Sequence, residues 1–203
     1  MTALRCRAYL IVDADAEDVR PQALAALLRS YPVAAVLLRT SAASPERLRD
    51  QVLACQACGA AALIEGDAQL ALSVAADGLH LPASAEAAIL EQAYRQARSV
   101  LGPQSTIGGS AGMIRHDAMV LGELGADYVA FEDTAGEGLT ELADLVSWWA
   151  EVFEVPCVAI GATDRASAEI FAQAGADFVA SGPAGGILRD LQAIESFCEQ
   201  DGR

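Results

Sequence analysis

Basic side chains and long apolar runs are both scarce in this sequence of 203 residues. Thirteen basic residues stand against 28 acidic ones, which gives a formal charge of −15 at pH 7. DNA, RNA and anionic membranes repel a surface of that charge, so these partners are not expected. Asp, Glu or Arg interrupts every apolar run before it reaches the length of a membrane span, and no secretory cleavage pattern follows the first residues. We therefore expect a cytoplasmic protein with neither a membrane nor a nucleic-acid partner.

Cysteines are few and scattered: five in all, an odd number. Cys55-Gln-Ala-Cys58 has the spacing of a metal-binding or redox pair, but no second pair or Cys/His set accompanies it. The pair falls within a helical run rather than at the start of a helix that follows a strand, where a thioredoxin-like motif would lie. The pattern favours small buried structural cysteines.

Short apolar segments alternate with helical patterns along the whole chain, and no linker divides residues 1–203. The predicted strands are Tyr9–Val12, Val33–Leu38, Ala61–Ile64, Gly78–Leu81, Ser105–Gly108, Tyr128–Phe131, Pro156–Ile160 and Asp177–Ala180. Strands that are apolar throughout are typical of a parallel sheet covered on both faces, and eight of them predict closure. We expect a single-domain (β/α)8 barrel, the TIM-barrel architecture. The alternative, a doubly wound open sheet, should carry a dinucleotide fingerprint after its first strand, and Asp13-Ala-Asp15 is not one.

A Gly-Ala-Asp turn recurs along the chain. Ala76, Ala126 and Ala176 mark its three copies at intervals of 50 residues, and Ala75 replaces the glycine in the first copy. A period of this length fits two βα units of an eight-fold barrel. Each copy precedes a strand, so the aspartates belong to the face opposite the active site, where we expect them to bind backbone amides. Those aspartates are Asp77, Asp127 and Asp177.

The carboxyl ends of the strands, where such barrels carry their chemistry, collect another set of residues. These are Asp13, Asp15, Arg39, Glu65, Asp67, His80, Ser110, Glu132, Asp133, Gly161, Thr163, Ser181 and Gly182. The loops after the seventh and eighth strands are the usual phosphate site of this fold. Their small residues allow backbone N–H groups to approach an anion. We therefore predict phosphate contacts from Gly161, Ala162, Ser181 and Gly182, with a last helix after them that ends near Cys198.

An ordered set of motifs runs from about residue 8 to 198. They are Tyr9-Leu-Ile-Val-Asp13, Leu37-Leu-Arg39, Ala76-Asp-Gly-Leu-His-Leu81, Ile107-Gly-Gly-Ser110, Gly125-Ala-Asp-Tyr128, Pro156-Cys-Val-Ala-Ile-Gly161 and Ala174-Gly-Ala-Asp177. Their order and spacing resemble thiamine-phosphate synthase and its TenI-type thiazole tautomerase relatives.

The resemblance implies a reaction that joins a hydroxymethylpyrimidine diphosphate to a thiazole phosphate and expels pyrophosphate with the help of Mg²⁺. It also implies that Arg39 and Ser110 contact the ligand. Glu65 and Asp67 stand where a Mg²⁺ ligand is expected. His80 matches a largely structural histidine, although the top of the fourth strand could also carry a catalytic base.

The chain departs from the family pattern at several of these positions. Leu37 and Ser41 replace the glutamine and lysine of Gln-Leu-Arg-x-Lys, and Ala162 replaces a glycine. After the fourth strand no carboxylate appears until Glu86. The loop after the sixth strand is short and contains neither the lysine of the synthases nor the catalytic histidine of the tautomerases.

Departure of pyrophosphate requires cations, and the predicted site offers one arginine among several carboxylates. We therefore expect a diverged family member that binds a small phosphorylated ligand in a one-phosphate pocket and has lost the standard synthase chemistry. One alternative is a non-catalytic ligand-binding or regulatory pseudoenzyme. Another is a different phosphate-barrel lyase or isomerase that uses Asp13, Glu65 or Asp133 as acid or base. His116 is predicted to lie on the surface, and Trp148, Trp149 and Phe153 to pack on the barrel or in a homodimer.

Overall fold

A computed structural model describes residues 6–84, 86–133 and 138–181. Eight parallel strands close into a barrel in sequence order, from β1 to β8 and back to β1. The strands are β1 Arg7–Asp13, β2 Val33–Arg39, β3 Ala61–Glu65, β4 Gly78–Leu81, β5 Thr106–Ser110, β6 Tyr128–Glu132, β7 Cys157–Ala162 and β8 Phe178–Ser181. The helices between them are α1 Pro21–Ser30, α2 Pro45–Ala57, α3 Ala68–Ser73, α4 Ala87–Leu101, α5 Arg115–Glu123, α6 Leu139–Val152 and α7 Arg165–Gln173. The predicted (β/α)8 barrel is confirmed, while Gly182 and the predicted last helix lie outside the described residues.

The fifth strand is longer than the sequence predicts. Gly109 and Ser110, which lie beyond the end of the predicted strand, pair in parallel with Leu81 on β4 and Ala130 on β6, respectively. The glycines of this strand serve packing rather than a turn: a Cβ added to Gly108 would lie 2.2 Å from the ring of Tyr128. The small residues make room for a neighbouring aromatic ring, and the strand ends with Ser110 at the functional face.

Helix starts follow the signals in the sequence. The hydroxyl of Ser44 accepts a hydrogen bond from the amide of Arg47 at 3.3 Å, and Pro45 occupies the first turn of α2. Asp164 forms a capping box with Ser167 at the start of α7. These contacts satisfy backbone donors that the first helical turn leaves unpaired.

The repeated turn ends α3, α5 and α7 in the same way. In each copy the amide of the first residue donates to the carbonyl three residues back, and the next amide donates to the carbonyl five residues back. The aspartate then exchanges two hydrogen bonds with one residue of the preceding strand. The amide of Asp177 donates to the carbonyl of Cys157 at 3.1 Å, and the amide of Cys157 donates to the Asp177 carboxylate at 2.9 Å. Asp77 and Asp127 bind Ala62 and Ile107 in the same manner, which confirms their structural role.

Two apolar regions hold the barrel together. The interior is filled by side chains such as Tyr9, Leu37 and Tyr128, whereas a larger layer lies between the strands and the helices. Trp149 of α6 is completely buried in that layer and stacks on Phe153 with ring centroids 4.0 Å apart. Its indole N–H donates to the carbonyl of Val155 at 2.8 Å, so this part of the aromatic cluster packs on the chain's own barrel.

Candidate active site

Four polar side chains meet at the carboxyl ends of β2, β3, β5 and β6, and we call them the charged ring: Arg39, Glu65, Ser110 and Glu132. Arg39 Nε donates to Glu65 Oε1 at 2.7 Å, and Arg39 Nη2 lies 3.9 Å from Glu132 Oε2. Ser110 Oγ donates to Glu132 Oε1 at 2.8 Å. The three charged side chains are only 16–25% exposed, which strengthens their attraction relative to a surface ion pair.

A chain of hydrogen bonds lies in the barrel interior. His80 Nδ1 and the Tyr128 hydroxyl are 2.8 Å apart, and the Tyr128 and Tyr9 hydroxyls are 3.2 Å apart. Burial lowers the pKa of His80 to about 3, with a smaller contribution from the Arg39 charge, so the imidazole is neutral at pH 7. Burial also raises the pKa of both tyrosines above the ordinary value. Within the described part of the chain His80 Nε2 has no hydrogen-bond partner, which distinguishes it from a fully satisfied core histidine.

The loop after β2 is fastened by Asp15. The Asp15 carboxylate accepts hydrogen bonds from the amides of Ser41 and Ala42 at 2.8 and 3.0 Å and from the Thr40 hydroxyl at 2.8 Å. These bonds, led by the one from the Ser41 amide, lower the pKa of Asp15 to about 2. Asp15 is therefore committed to loop structure. Asp13 is exposed and accepts from the amide of Asp15 at 2.9 Å.

Glu65 and Asp67, the predicted Mg²⁺ ligands, are not presented as a pair. Glu65 binds Arg39, while Asp67 accepts from the amide of Leu70 at 2.9 Å and caps α3. Asp67 lines a separate cavity of about 260 Å³ that also touches α4. Among the described residues no group of three or more His, Cys, Asp or Glu side chains could hold a metal ion. The residues present do not fit the implied Mg²⁺ site.

A cavity of about 280 Å³ opens at the ends of β6 and β7. Its walls are Glu132, Asp133, Gly138, Leu139, Leu142, Ile160, Gly161 and Phe171. Gly161, one of the predicted phosphate contacts, has a φ of +130°, a backbone conformation that is strained for any residue with a side chain. Ala162, another, is buried and pairs with Ser181 of β8.

Three backbone amides that follow Gly161 are already hydrogen-bonded within the chain. Thr163 and Asp164 both donate their backbone N–H to Ser167 Oγ, at 3.0 and 3.1 Å, and the amide of Ser167 donates to Asp164. These three amides are therefore not available to a phosphate, and Gly161 is the predicted contact that lines the cavity. Gly182, the remaining predicted contact, lies outside the described residues.

Two minor sequence predictions, the burial of Cys55 and the surface position of His116, are confirmed. Cys55 is buried in α2 as a free thiol, and burial raises its pKa to about 12, which does not suit a redox cysteine. His116 is exposed on α5. No helix in the described ranges is long and apolar enough to cross a membrane.

Sequence reasoning placed Glu132 at the functional face but gave it no role, and it missed the tyrosine pair inside the barrel. One signal was available: the chain contains no lysine, and all thirteen basic residues are arginines. A site at the strand ends therefore depends on arginine for positive charge. The ends of β2, β3 and β6 carry one arginine and two glutamates, which predicts that they pair.

The fold and the polar residues at the ends of its strands define a (β/α)8 barrel with a candidate site on the carboxyl face, the face that carries the chemistry of barrel enzymes. A family model described as thiamine monophosphate synthase matches residues 8–184. The chain is 37% identical over 186 residues to a thiamine-phosphate synthase of Rhodospirillum centenum, with 86% of each chain covered. It is 36% identical to that of Erythrobacter litoralis, over 72% of this chain and 69% of the relative.

The chain belongs to the thiamine monophosphate synthase family. A solved structure, thiamine phosphate pyrophosphorylase from Pyrococcus furiosus, superposes with a TM-score of 0.75 and 19% identity, with the whole of both chains covered. An HpcH/HpaI aldolase from Desulfitobacterium hafniense has a TM-score of 0.69 at 13% identity over 98% of this chain and 92% of the aldolase. At such identities these two structures are evidence for the barrel fold alone.

Proposed function

We propose that this chain binds a small phosphorylated, thiazole-phosphate-like ligand of thiamine metabolism at the carboxyl face of the barrel. The main observation in support of this proposal is the cavity of about 280 Å³, which combines apolar walls from α6 and α7 with the Gly161 backbone. Leu139, Leu142 and Phe171 suit the body of a small heterocycle. We place the phosphate at the Gly161 backbone, because Gly161 is the one predicted phosphate contact among the described residues that lines this cavity.

The standard synthase reaction is not the activity that the charged ring supports best. A leaving pyrophosphate carries several negative charges, which an enzyme neutralises with cations or a metal ion. Here Arg39 already faces Glu65 and Glu132, and Ser110 is hydrogen-bonded to Glu132. Two carboxylates would repel the diphosphate, and Glu65 and Asp67 do not form a metal site. We therefore propose ligand binding without the standard Mg²⁺-dependent condensation.

A non-catalytic binder or regulatory pseudoenzyme is the second candidate. It is favoured by the contacts of the charged ring. Arg39 and Ser110, the two side chains predicted to contact the ligand, are already bound to Glu65 and Glu132. An isomerase or lyase using Asp133 as acid or base has less support, since that carboxylate accepts a hydrogen bond from the amide of Gly138 at 2.8 Å.

Thermal-shift measurements test the proposal. The purified protein is heated with thiazole phosphate, thiamine phosphate, inorganic phosphate or pyrophosphate, with and without Mg²⁺. We expect a metal-independent rise in Tm with a monophosphate ligand and none with pyrophosphate. Absence of any shift with both organic phosphates at millimolar concentration would rule out the proposed binding.

A turnover assay then separates enzyme from binder. Protein, pyrimidine diphosphate, thiazole phosphate and Mg²⁺ are combined, and thiamine phosphate is measured. We expect no product above the protein-free control. Formation of thiamine phosphate by many turnovers, together with a Mg²⁺-dependent shift, would restore the synthase reaction.

The subunit number and the compartment remain predictions. We propose a cytoplasmic homodimer, with the half-buried Trp148 and the exposed Val152 of α6 available for an interface. Light scattering after size-exclusion chromatography gives the molar mass and distinguishes the dimer from the monomer.

A further inference from the structure

Glu132 is the last residue of β6, and its side chain is only 16% exposed. A carboxylate so far withdrawn from water must be bound by donors or by opposite charge. Glu132 has both: Oε1 accepts from Ser110 Oγ at 2.8 Å, and Oε2 lies 3.9 Å from Arg39 Nη2.

Ser110 and Arg39 both approach the Glu132 carboxylate, one at each oxygen. The amide of Gly112 donates to Ser110 Oγ at 3.2 Å, which directs the hydroxyl hydrogen elsewhere, and Glu132 receives it. Arg39 gives its Nε to Glu65 and turns a terminal nitrogen toward Glu132. A hydroxyl and a guanidinium beside each other are the donors that proteins use for phosphate oxygens.

We propose that Glu132 is a specificity-determining residue: its carboxylate occupies the oxyanion site formed by Arg39 and Ser110 and excludes a second phosphate group from the ligand. The same side chain forms part of the wall of the 280 Å³ cavity at β6 and β7. A ligand in that cavity meets a negative charge where a diphosphate would need a positive one. This consequence for ligand choice rests on the proposed function, whereas the occupancy of the oxyanion site does not.

The test measures binding of inorganic phosphate and pyrophosphate by calorimetry without metal, because these probes do not depend on the organic ligand. Glu132→Ala empties the site, and Glu132→Gln keeps the shape but removes the charge. We expect weak or undetectable binding by the wild type and an affinity gain of at least about tenfold for Glu132→Ala, with a smaller gain for Glu132→Gln. Circular dichroism confirms that each variant is folded.

Two further variants locate the effect. Glu123→Gln removes the same charge from an exposed position on α5 and is expected to bind phosphate like the wild type. Adding Ser110→Ala to Glu132→Ala is expected to abolish the gain. An equal gain in Glu123→Gln would assign the effect to net charge and overturn the proposal. A folded Glu132→Ala protein without a gain, or a gain that survives loss of the Ser110 hydroxyl, would overturn it as well.

Discussion

The imidazole of His80 and the hydroxyl of Tyr128 are 2.8 Å apart inside the barrel, where both side chains are almost completely buried. The two residues lie on β4 and β6, with Gly108 of β5 between them. Because the imidazole is withdrawn from water, its protonated form is unfavourable in the folded protein. In the unfolded chain the imidazole is exposed to water and binds a proton freely. Protonation of His80 therefore makes the stability of the fold depend on pH.

Stability should fall as the pH decreases below 6.5. Burial lowers the folded-state pKa of His80 from 6.5 to about 3, so the unfolded chain binds the proton first. The stabilisation is fully present above pH 6.5 and is lost toward pH 3, at about 1.4 kcal/mol per pH unit from this residue. Urea unfolding between about pH 5 and 6.5 gives the free energy of unfolding at each pH. Its slope against pH should be steeper for the wild type than for His80→Gln. Equal slopes would mean that His80 is not buried in its neutral form.

The repeated turn predicts a stabilising substitution. Ala75 has a φ of +57° at the position where Gly125 and Gly175 have +82° and +100°. A left-handed backbone strains alanine but not glycine, so Ala75→Gly should raise the free energy of unfolding by about 0.5–1 kcal/mol. Gly125→Ala should lower it by about 1–2 kcal/mol through strain alone. Gly175→Ala should cost more, because its Cβ would lie 2.7 Å from that of Ala150. Urea unfolding of the three variants ranks them, and a destabilised Ala75→Gly variant contradicts the account.

Gly108 and Tyr128 should be strongly coupled in a double-mutant cycle. The added Cβ of Gly108→Ala would lie 2.2 Å from the Tyr128 ring, so the ring must move or the strands must separate. We expect a loss of about 3 kcal/mol or more from overpacking. Adding Tyr128→Ala should cost less in the Gly108→Ala background than in the wild type. Gly59→Ala is the control, because its Cβ would meet no atom within 4 Å and only the strain of its φ of +79° remains. Additive effects of the Gly108 and Tyr128 substitutions would contradict the predicted contact.

The barrel could be predicted from local patterns, whereas the charged ring could not. The alternation of strands and helices and the repeated turn depend on neighbours a few residues apart. The structural role of Asp177 could likewise be predicted from its position just before a strand. The partners in the ring lie far apart in the chain: Arg39 and Glu65 are separated by 26 positions, and Ser110 and Glu132 by 22. Which of them meet depends on the register of pairing and closure, which a local pattern does not specify. For the same reason the sequence did not show that Glu65 binds the distant Arg39 while Asp67 caps α3.

Arg39 should stabilise the charged ring mainly through Glu65. Their contact is 2.7 Å long, and the side chains are 23% and 25% exposed, so the attraction is less screened than at the surface but does not reach that of a fully buried pair. Arg39→Gln leaves Glu65 and Glu132 facing each other without a cation, and we expect a loss of about 1–3 kcal/mol in the free energy of unfolding. Adding Glu65→Gln should recover part of that loss, because it removes one of two like charges. The control is Glu91→Gln, which alters an exposed ion pair on α4 and should change stability by less than about 0.5 kcal/mol. If Glu65→Gln lowers the free energy of unfolding by the same amount with and without Arg39, the two residues are not energetically coupled. The pair would then not stabilise the charged ring.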